Sequence, residues 1–456
     1  MIVSFSVSNF RSFSSEETFS LVASNRLAGS HDSHPVPIPD SEEHVLPTAV
    51  LYGANGAGKS NLFKALQYLQ SVALEPRTRN AGTGRTAFRL GGSLSDPSSF
   101  DLQFVSNSKL YRFGFRVDDQ RIIEEWLVRV VGGCDKVIYE RVTDASGAVT
   151  IDATGLEGAG TKVQALATVG GLQNQSFLAT INATMEVPDV GEDLNDVLRW
   201  LGQSLILIAP NTSMTAPASW LGGNADLRKF AGDFLRSSST GVDHLEISRS
   251  EISEEELRAL FTAAELTSLA ERTQRRGTAG IVATDGTEIL CVQNGDRTSS
   301  YRVSVQAAHE HQSGQSIALE LSEESDGTQR LLHLMPALFF SSTGNPVFVI
   351  DEIDRSLHPI LVKHFLEAFL KSCTGGSRQL IFTTHESNLL DQDLLRRDEI
   401  WFAEKDERSA TRLYSLMDFE VRKDPEIRKH YLQGRFGAIP FFGNLDELQV
   451  PGDQPG

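Results

Sequence analysis

The order of hydrophobic and polar residues divides the chain into three regions with different patterns. Residues 1–10 and 99–130 contain runs that alternate between apolar and polar positions, as half-buried strands do. Residues 190–310 show helical spacing followed by short strands. The last third returns to short, wholly apolar runs typical of buried parallel strands. The pattern predicts an α/β protein with an added antiparallel sheet and a helical and β insertion.

Individual elements follow from these runs. We expect strands at residues 99–105, 109–117, 122–130, 279–283, 287–292, 301–305, 347–350 and 379–382. We expect helices at residues 193–201, 225–235, 254–272, 328–340 and 360–371. The capping box Ser253–Glu256 marks the start of the third helix. We divide the chain into segments 1–185, 186–312 and 313–456.

One glycine-rich segment carries recognisable chemistry. Gly53–Ser60 fits the phosphate-binding pattern G-x-x-x-x-G-K-[ST] without a mismatch, between an apolar strand at Thr48–Tyr52 and helical spacing at Asn61–Leu69. The backbone N–H groups of such a loop surround an anion, and the helix N-terminus adds positive potential. The alternative is a chance glycine-rich turn. The pattern predicts a nucleoside triphosphate site built from Asn55, Gly56, Ala57, Gly58, Lys59 and Ser60.

In such a loop, Lys59 would reach the β- and γ-phosphates and Ser60 would bind Mg²⁺. Two carboxylates, Asp351 and Glu352, follow an apolar strand much later in the chain. Many strands end in acidic loops. Downstream of a phosphate-binding loop, however, the pair predicts a Mg²⁺ contact from Asp351 and a base, Glu352, that activates water. His385, which ends the next apolar strand, is a candidate sensor of the γ-phosphate.

A second turn, Ser325–Arg330, precedes an apolar helix about 265 residues after Ser60. A Ser/Gly turn at a helix start can bind an anion, and the alternative is an ordinary N-cap. Its distance along the chain means that it need not serve the same phosphate as Ser60.

Composition narrows the class of protein. The net charge of −18 argues against a broadly basic surface that coats nucleic acid, although a local basic groove or a partner could still make that contact. No apolar run approaches the roughly 18 residues of a membrane span, and the start lacks the basic region of a signal peptide. Cys134, Cys291 and Cys373 are far apart and form no metal-type pair. We expect a cytoplasmic protein with reduced cysteines.

In their order, these motifs resemble those of ABC-type ATPases of the RecF and SMC branch. The resemblance is carried by Asn9–Ser12, Gly53–Ser60, Glu324–Arg330, Ile350–Pro359 and Thr383–His385. More closely, the chain resembles the stand-alone "AAA family" ATPases of prokaryotic anti-phage systems. These are the ATPase partners of RloB-type proteins in abortive infection and the ATPase of the PARIS system, whose C-terminal signature is similar to Tyr431–Pro440. The resemblance covers about residues 1–115 and 315–445.

The resemblance implies an ABC-type P-loop ATPase head that is built on a mixed sheet and uses ATP and Mg²⁺. Segments 1–185 and 313–456 would be the ATPase lobes, and 186–312 an insertion that contacts a partner or a second copy. Further roles are implied for single residues: Arg11 approaching the phosphates, Ser325 and Gly327 closing over a γ-phosphate held by a second subunit, and Ser356, Leu357 and His358 lining the subunit interface. The second turn departs from the usual L-S-G-G-Q at Asp326 and Thr328.

A glutamine that completes the Mg²⁺ shell is also implied; Gln103 and Gln175 are both candidates, and Gln175 is favoured. The implied protein is a homodimer or higher homo-oligomer gated by ATP. It would sense a phage product and control a separate effector, RloB-like or another nuclease-type protein.

We expect the chain itself not to cut nucleic acid, because the residues after His385 are too few for an appended metal-dependent nuclease domain. About 70 residues follow His385, and Val421–Tyr431 does not fit the R-x4–6-H pattern of HEPN ribonucleases. A RecF-like DNA-repair ATPase is the alternative, against which the acidic charge and the lack of long arms count. In a transport ATPase subunit, far fewer residues would separate the P-loop from the second turn.

Overall fold

The computed structural model describes residues 1–27, 29–91, 94–156, 160–211, 217–295, 297–310, 315–339, 345–373, 378–419 and 426–439. The chain folds as two units. The first contains residues 1–210, 342–354 and 369–456, and the second contains residues 211–341 and 355–368. The three-segment division of the sequence remains a prediction.

The strands are β1 (Ile2–Ser8), β2 (Glu17–Ser20), β3 (Val36–Pro37), β4 (His44–Val45), β5 (Thr48–Tyr52), β6 (Ser98–Ser106), β7 (Lys109–Val117), β8 (Ile122–Val131), β9 (Cys134–Thr143), β10 (Val149–Asp152), β11 (Leu205–Ile208), β12 (His244–Glu251), β13 (Thr278–Val282), β14 (Glu288–Asn294), β15 (Arg297–Glu310), β16 (Ser316–Glu320), β17 (Val347–Ile350), β18 (Gln379–Thr383), β19 (Ile400–Lys405) and β20 (Thr411–Ser415).

The α-helices are α1 (Lys59–Leu74), α2 (Thr161–Val169), α3 (Phe177–Thr184), α4 (Val187–Val190), α5 (Glu192–Arg199), α6 (Pro217–Gly222), α7 (Ala225–Ser237), α8 (Glu254–Leu260), α9 (Ala263–Arg276), α10 (Asp326–Leu338), α11 (Pro359–Ser372) and α12 (Ile427–Leu432). A π-helical turn, Trp200–Ser204, follows α5.

A mixed sheet in the first unit carries the predicted nucleotide motifs. Its strand order is β11-β17-β18-β5-β19-β20, and only the β19–β20 pair is antiparallel. Every residue of β5, β17 and β18 is buried, as expected for central strands covered on both faces. Because these three strands are parallel, their carboxyl ends at Tyr52, Ile350 and Thr383 meet at one edge of the sheet.

An antiparallel sheet in the same unit has the order β10-β9-β8-β7-β6-β1-β2. The predicted alternation is present, since β6 buries every second residue from Ser98 to Phe104. Helix α1 packs on the buried face: the Tyr68 ring lies 5.3 Å from the Phe10 ring and 5.2 Å from the Phe100 ring. Both sheets and α1 share one hydrophobic core.

The second unit is built on a sheet of order β12-β15-β14-β13, with β16 pairing to β15. The single helix predicted at residues 254–272 is wrong, because the chain forms two helices, α8 and α9. Phe261 is extended and buried between them. Thr262 then starts α9 with its own capping box, in which Glu265 bonds back to Thr262.

The predicted fold class is confirmed: the protein is α/β, with a mixed sheet around the P-loop, an added antiparallel sheet, and a helical and β insertion between the P-loop and Ser325. Residues 421–425 of the basic segment and Pro440 of the C-terminal motif lie outside the described residues. Among the residues that are described, no helix has both the length and the apolar character to cross a bilayer.

A buried carboxylate joins the antiparallel sheet to α3. Glu125 on β8 is 1% exposed. Its carboxylate accepts hydrogen bonds from the backbone N–H of Phe177 (3.0 Å), the Ser176 hydroxyl (2.9 Å) and the Tyr139 hydroxyl (2.7 Å). The Arg141 Nε atom lies 3.9 Å from it. Burial lowers the pKa of Arg141, so the nearby carboxylate is what favours its charge.

We predict that Glu125→Ala lowers the free energy of unfolding by about 3 kcal/mol, because it leaves a buried guanidinium and several donors without their acceptor. The control is Glu124→Ala, since Glu124 is 43% exposed and pairs at 3.4 Å with a similarly exposed Arg116. That variant should lose about 0.5 kcal/mol or less. Urea denaturation measures both, and equal losses would contradict this role for Glu125.

Candidate functional site

The glycine-rich loop connects β5 to α1 in the form that phosphate binding requires. Gly56 and Gly58 adopt φ angles of 78° and 115°, which favour glycine. A Cβ atom on Gly53 would lie 2.5 Å from the Ala403 carbonyl oxygen, and one on Gly58 would collide with the Thr411 side chain. The loop therefore needs these glycines both for its backbone angles and for its space.

Lys59 lies over this loop. Its Nζ atom donates to the carbonyl oxygens of Gly53 (2.7 Å) and Ala54 (3.2 Å) and lies 3.4 Å from His385 Nδ1. Burial lowers the pKa of Lys59 to about 8, although Asp351 and Glu352 favour its charged form. Phosphate oxygens can replace these neutral carbonyl acceptors and would interact more strongly with the ammonium group.

One carboxylate oxygen of Asp351 accepts hydrogen bonds from two hydroxyl groups. Its Oδ1 atom accepts from Ser60 Oγ at 3.1 Å and from Thr383 Oγ1 at 2.7 Å. Asp351 is 3% exposed. The structure thus brings together the two predicted Mg²⁺ contacts, Ser60 and Asp351, although they are 291 positions apart in the sequence.

Glu352 follows in an unusual backbone conformation. Its φ angle of 50° lies in the left-handed region, which is unfavourable for a residue with a side chain. Two hydrogen bonds hold this turn: the Glu352 N–H donates to Thr383 Oγ1 (2.8 Å), and the Ile353 N–H donates to the Thr383 carbonyl (3.1 Å). The half-buried Glu352 therefore leaves the sheet edge beside Asp351 in a fixed direction.

His385 is oriented by two neighbours. Its backbone N–H donates to Asp354 Oδ2 at 3.4 Å, and its Nδ1 faces the Lys59 ammonium group. Because an ammonium group only donates, we assign Nδ1 as the acceptor and place the ring proton on Nε2. His385 is exposed, yet the loss of part of its hydration, and then the charge of Lys59, lower its pKa. A neutral ring with a proton on Nε2 can donate to an anion such as a γ-phosphate.

The turn that carries Arg11 is fastened to the P-loop. Asn61 Nδ2 donates to Ser12 Oγ at 2.8 Å, and Thr411 Oγ1 lies 2.8 Å from both Ser12 Oγ and the Ala57 carbonyl oxygen. One consistent chain of donors therefore runs from Asn61 through Ser12 and Thr411 to the loop. The Arg11 side chain itself is exposed, with its guanidinium 5.6 Å from the Phe10 ring centre.

The prediction that Gln175 binds Mg²⁺ is wrong. Its Oε1 accepts from the Arg77 N–H at 2.7 Å, and its Nε2 donates to Thr180 Oγ1 at 2.8 Å. Arg77 follows the last turn of α1, whereas Ser60 lies in the first turn, and Ser60 and Leu74 are about 21 Å apart at 1.5 Å per residue. Gln175 therefore anchors the chain at the opposite end of α1.

The other glutamine candidate is also in the wrong place. Gln103 lies on the outward face of β6, opposite the buried face that α1 covers. The strand that ends next to Asp351 is β11 and not β6, because the Asp351 N–H donates to the carbonyl oxygen of Ile208, the last residue of β11, at 2.9 Å.

The second predicted phosphate turn lies in the second unit. Ser325 is the N-cap of α10, with its Oγ accepting from the Thr328 N–H at 3.2 Å. A Cβ atom on Gly327 would lie 2.8 Å from the Ser356 carbonyl oxygen, so this turn and the predicted interface loop at Ser356 are in contact. Asp326 adds a negative charge to the first turn of α10, which reduces the attraction of this helix start for an anion.

Thr383, Ser12 and Thr411 were missed from the sequence. Only Thr383 had a usable signal: Ile350 pairs with Phe382, which places Asp351 beside Thr383 on the next parallel strand. Ser12 and Thr411 are 399 positions apart, and no local pattern connects them.

The residues present fit ATP with Mg²⁺. The glycine loop and Lys59 offer N–H groups and a positive charge to phosphates, and the Ser60 hydroxyl and Asp351 carboxylate are the hard oxygen ligands that Mg²⁺ prefers. In the described part of the chain, no cluster of three or more His, Cys, Asp or Glu residues could hold a metal by itself.

We predict that MgATP affinity falls about tenfold between pH 7 and pH 9. With a pKa of about 8, Lys59 loses its proton over this range, whereas bound phosphates favour the ammonium form and raise its pKa. Isothermal titration calorimetry at both pH values measures this, and buffers of different ionisation enthalpy at pH 8.5 should reveal proton uptake on binding. Equal affinity at both pH values, without proton uptake, would remove Lys59 from the phosphate site.

Solved structures that match the chain include heads of SMC proteins. One, an SMC head bound to the C-winged helix domain of ScpA, is 13% identical, with 91% of this chain and 97% of that chain covered and a TM-score of 0.35. The SMC head of Thermotoga maritima is 12% identical (92% and 99% covered, TM-score 0.33). An SMC head with an extended coiled coil from Pyrococcus furiosus, bound to the C-terminal domain of ScpA, is 11% identical (95% and 99% covered, TM-score 0.34). With such TM-scores, none of them supports a conclusion about this chain.

No curated protein sequence matches the chain significantly. Its sequence does match the family described as "AAA domain, putative AbiEii toxin, Type IV TA system" over residues 49–142 and 225–391. The matched residues cover more than half of the chain and include the P-loop, Ser325, Asp351, Glu352 and His385. The chain therefore belongs to this family of AAA-domain proteins.

Proposed function

We propose that the protein is an ATPase that uses Mg²⁺. The observation that carries the proposal is the meeting of four side chains at one edge of the mixed sheet, with Glu352 directly after the third in the chain: Lys59, Ser60, Asp351 and His385. Membership of an AAA-domain family supports a P-loop nucleotide site in the same residues. A metal ion bound there would offset the negative charge of the phosphates.

Each residue would contribute a separate step. Lys59 exchanges the carbonyls of Gly53 and Ala54 for phosphate oxygens, and Ser60 and Asp351 supply oxygen ligands. Glu352 orients a water molecule and accepts its proton as the water attacks the γ-phosphorus, and the bond from that phosphorus to the bridging oxygen breaks, so that ADP leaves. His385 donates its Nε2 proton as a hydrogen bond to the γ-phosphate, so that its position differs between ATP and ADP.

The second part of the proposal is an ATP-gated homodimer or higher homo-oligomer. Each bound ATP would be covered by the Ser325 turn of another copy, with the loop at Ser356 at the interface. The contact between Gly327 and Ser356 supports this, because it joins the two segments that would face the partner copy. ATP favours the closed form only as far as it binds that form more tightly than the open one.

The third part of the proposal concerns the biological role. The family description names a type IV toxin–antitoxin system, which favours a two-component arrangement over an isolated enzyme. We propose that the ATP-dependent dimer senses a phage product and controls a separate nuclease-type effector encoded nearby. The acidic net charge of −18 disfavours nucleic acid as the main partner of this chain.

We predict that Glu352→Gln binds ATP, hydrolyses it at least about a hundredfold more slowly than the wild type, and accumulates as a dimer, because only the general base is removed. Size exclusion with light scattering, with and without MgATP, measures the dimer, and phosphate release measures hydrolysis. The double variant Lys59→Ala/Glu352→Gln is the control and should stay monomeric. An unchanged mass in MgATP would contradict the dimer, and wild-type turnover would contradict the role of Glu352.

The defence role has its own test. Phage should form fewer plaques on cells that carry the gene together with its neighbouring genes than on cells with an empty vector. Lys59→Ala should abolish the protection at equal protein level, because the sensor could not close. Protection that persists in Lys59→Ala would contradict control by ATP. Salt-sensitive, ATP-dependent binding of duplex DNA by the purified chain would instead favour the RecF-like repair alternative.

A further inference from the structure

We propose that Thr383 is a positioning residue that holds both acidic groups of the hydrolytic site, Asp351 and Glu352. The inference rests on the proposed ATPase function and adds to it a residue that carries no charge and would not contact the substrate. Thr383 ends β18, the strand between the P-loop strand β5 and the acidic strand β17. It is 5% exposed.

The Thr383 hydroxyl makes two bonds with opposite roles. It donates to Asp351 Oδ1 at 2.7 Å and accepts from the Glu352 N–H at 2.8 Å. A hydroxyl has one proton to donate and lone pairs to accept with, so both bonds form at once. The backbone carbonyl of the same residue accepts the next N–H, that of Ile353, at 3.1 Å. One residue thus fixes a carboxylate and two successive peptide groups.

These bonds oppose a conformational cost. Glu352 has a φ angle of 50°, which persists in a residue with a side chain only where the surroundings hold it. Without the Thr383 acceptor, the Glu352 N–H would lose its partner at a sheet edge, and the turn could relax toward a commoner conformation. The direction in which the Glu352 side chain leaves the turn would then change.

The hydrogen bond that the Thr383 hydroxyl donates helps to hold the Asp351 carboxylate in place. Ser60 donates to the same Oδ1 atom at 3.1 Å. A metal ion would bind the Ser60 oxygen through a lone pair and leave its proton for Asp351, so the Thr383 hydroxyl would be a second donor, independent of the metal, that keeps the carboxylate in place. A valine at this position has nearly the same shape but can neither donate nor accept. A serine keeps both bonds.

The test compares Thr383→Val with Thr383→Ser and with Thr48→Val. Thr48 is a suitable control because it is equally buried in the same sheet, and its hydroxyl donates to the Leu380 carbonyl at 2.9 Å, away from the acidic pair. We expect Thr383→Val to lower kcat about 10- to 100-fold and to raise the Mg²⁺ concentration for half-maximal activity, as expected for losing hydrogen bonds to a charged group. ATP affinity in EDTA should stay within about threefold, because Lys59 and the glycine loop are unchanged.

Thr383→Ser should restore most of kcat and the Mg²⁺ dependence, and Thr48→Val should behave like the wild type in both. A double-mutant cycle adds a readout that a purely structural role would not move. If Thr383 acts through Glu352, Thr383→Val should slow single-turnover hydrolysis far less in the Glu352→Gln background than in the wild type. Circular dichroism and thermal melting confirm that each variant is folded.

The outcomes separate this inference from the proposed function. If the wild type hydrolyses ATP and Thr383→Val matches it in kcat and in Mg²⁺ dependence, Thr383 has no positioning role and the ATPase proposal stands. Equal losses in Thr383→Val and Thr48→Val would also overturn the inference, because any buried hydroxyl would then have the same effect. If the wild type itself releases no phosphate, the proposed function fails first.

Discussion

The site depends on the pair of hydrogen bonds that two hydroxyl groups donate to the carboxylate of Asp351. Ser60 comes from the start of α1 and Thr383 from the end of β18, and both donate to the same oxygen atom. A buried carboxylate without such donors would be costly, so the sheet edge is stable only when these elements meet. The parallel arrangement of β5, β18 and β17 provides that meeting, since it brings three strand ends to one edge.

Around this point the P-loop is braced from behind. Thr411 approaches so closely that only glycine is accommodated at position 58, and it shares a hydrogen-bond chain with Ser12 and the loop carbonyl of Ala57. Lys59 spans the front of the loop, bonded to Gly53 and Ala54. The loop backbone is therefore fixed on both sides. Phosphate binding would need the Lys59 side chain to move but would not need the loop to refold.

The sequence was most informative where the chemistry is local. The P-loop could be predicted because its glycines, Lys59 and Ser60 are adjacent, and the central strands because β5, β17 and β18 are short apolar runs. The roles of Asp351, Glu352 and His385 remain proposals, yet their convergence followed from strands of the parallel type. The antiparallel sheet was also predicted, since alternation reports a sheet with one buried face.

Contacts between residues that are far apart in the chain could not be predicted from the sequence. The prediction for Gln175 fails because the position of this residue is set by packing at the far end of α1. The break between α8 and α9 depends on a second capping box at Thr262 that helical spacing alone does not reveal. Thr411 lies in none of the motifs, and the motif that contains Thr383 predicts no role for its hydroxyl, because a single hydroxyl acquires its role only from the partner that the fold brings to it.

The most direct test of the central claim is an experimental structure of the protein with Mg²⁺ and a non-hydrolysable ATP analogue. We expect Lys59 to leave the carbonyls of Gly53 and Ala54 for the β- and γ-phosphates, with Ser60 and Asp351 around the metal and Thr383 still bonded to Asp351. A nucleotide bound elsewhere, or phosphates in the loop with Lys59 unmoved, would contradict it.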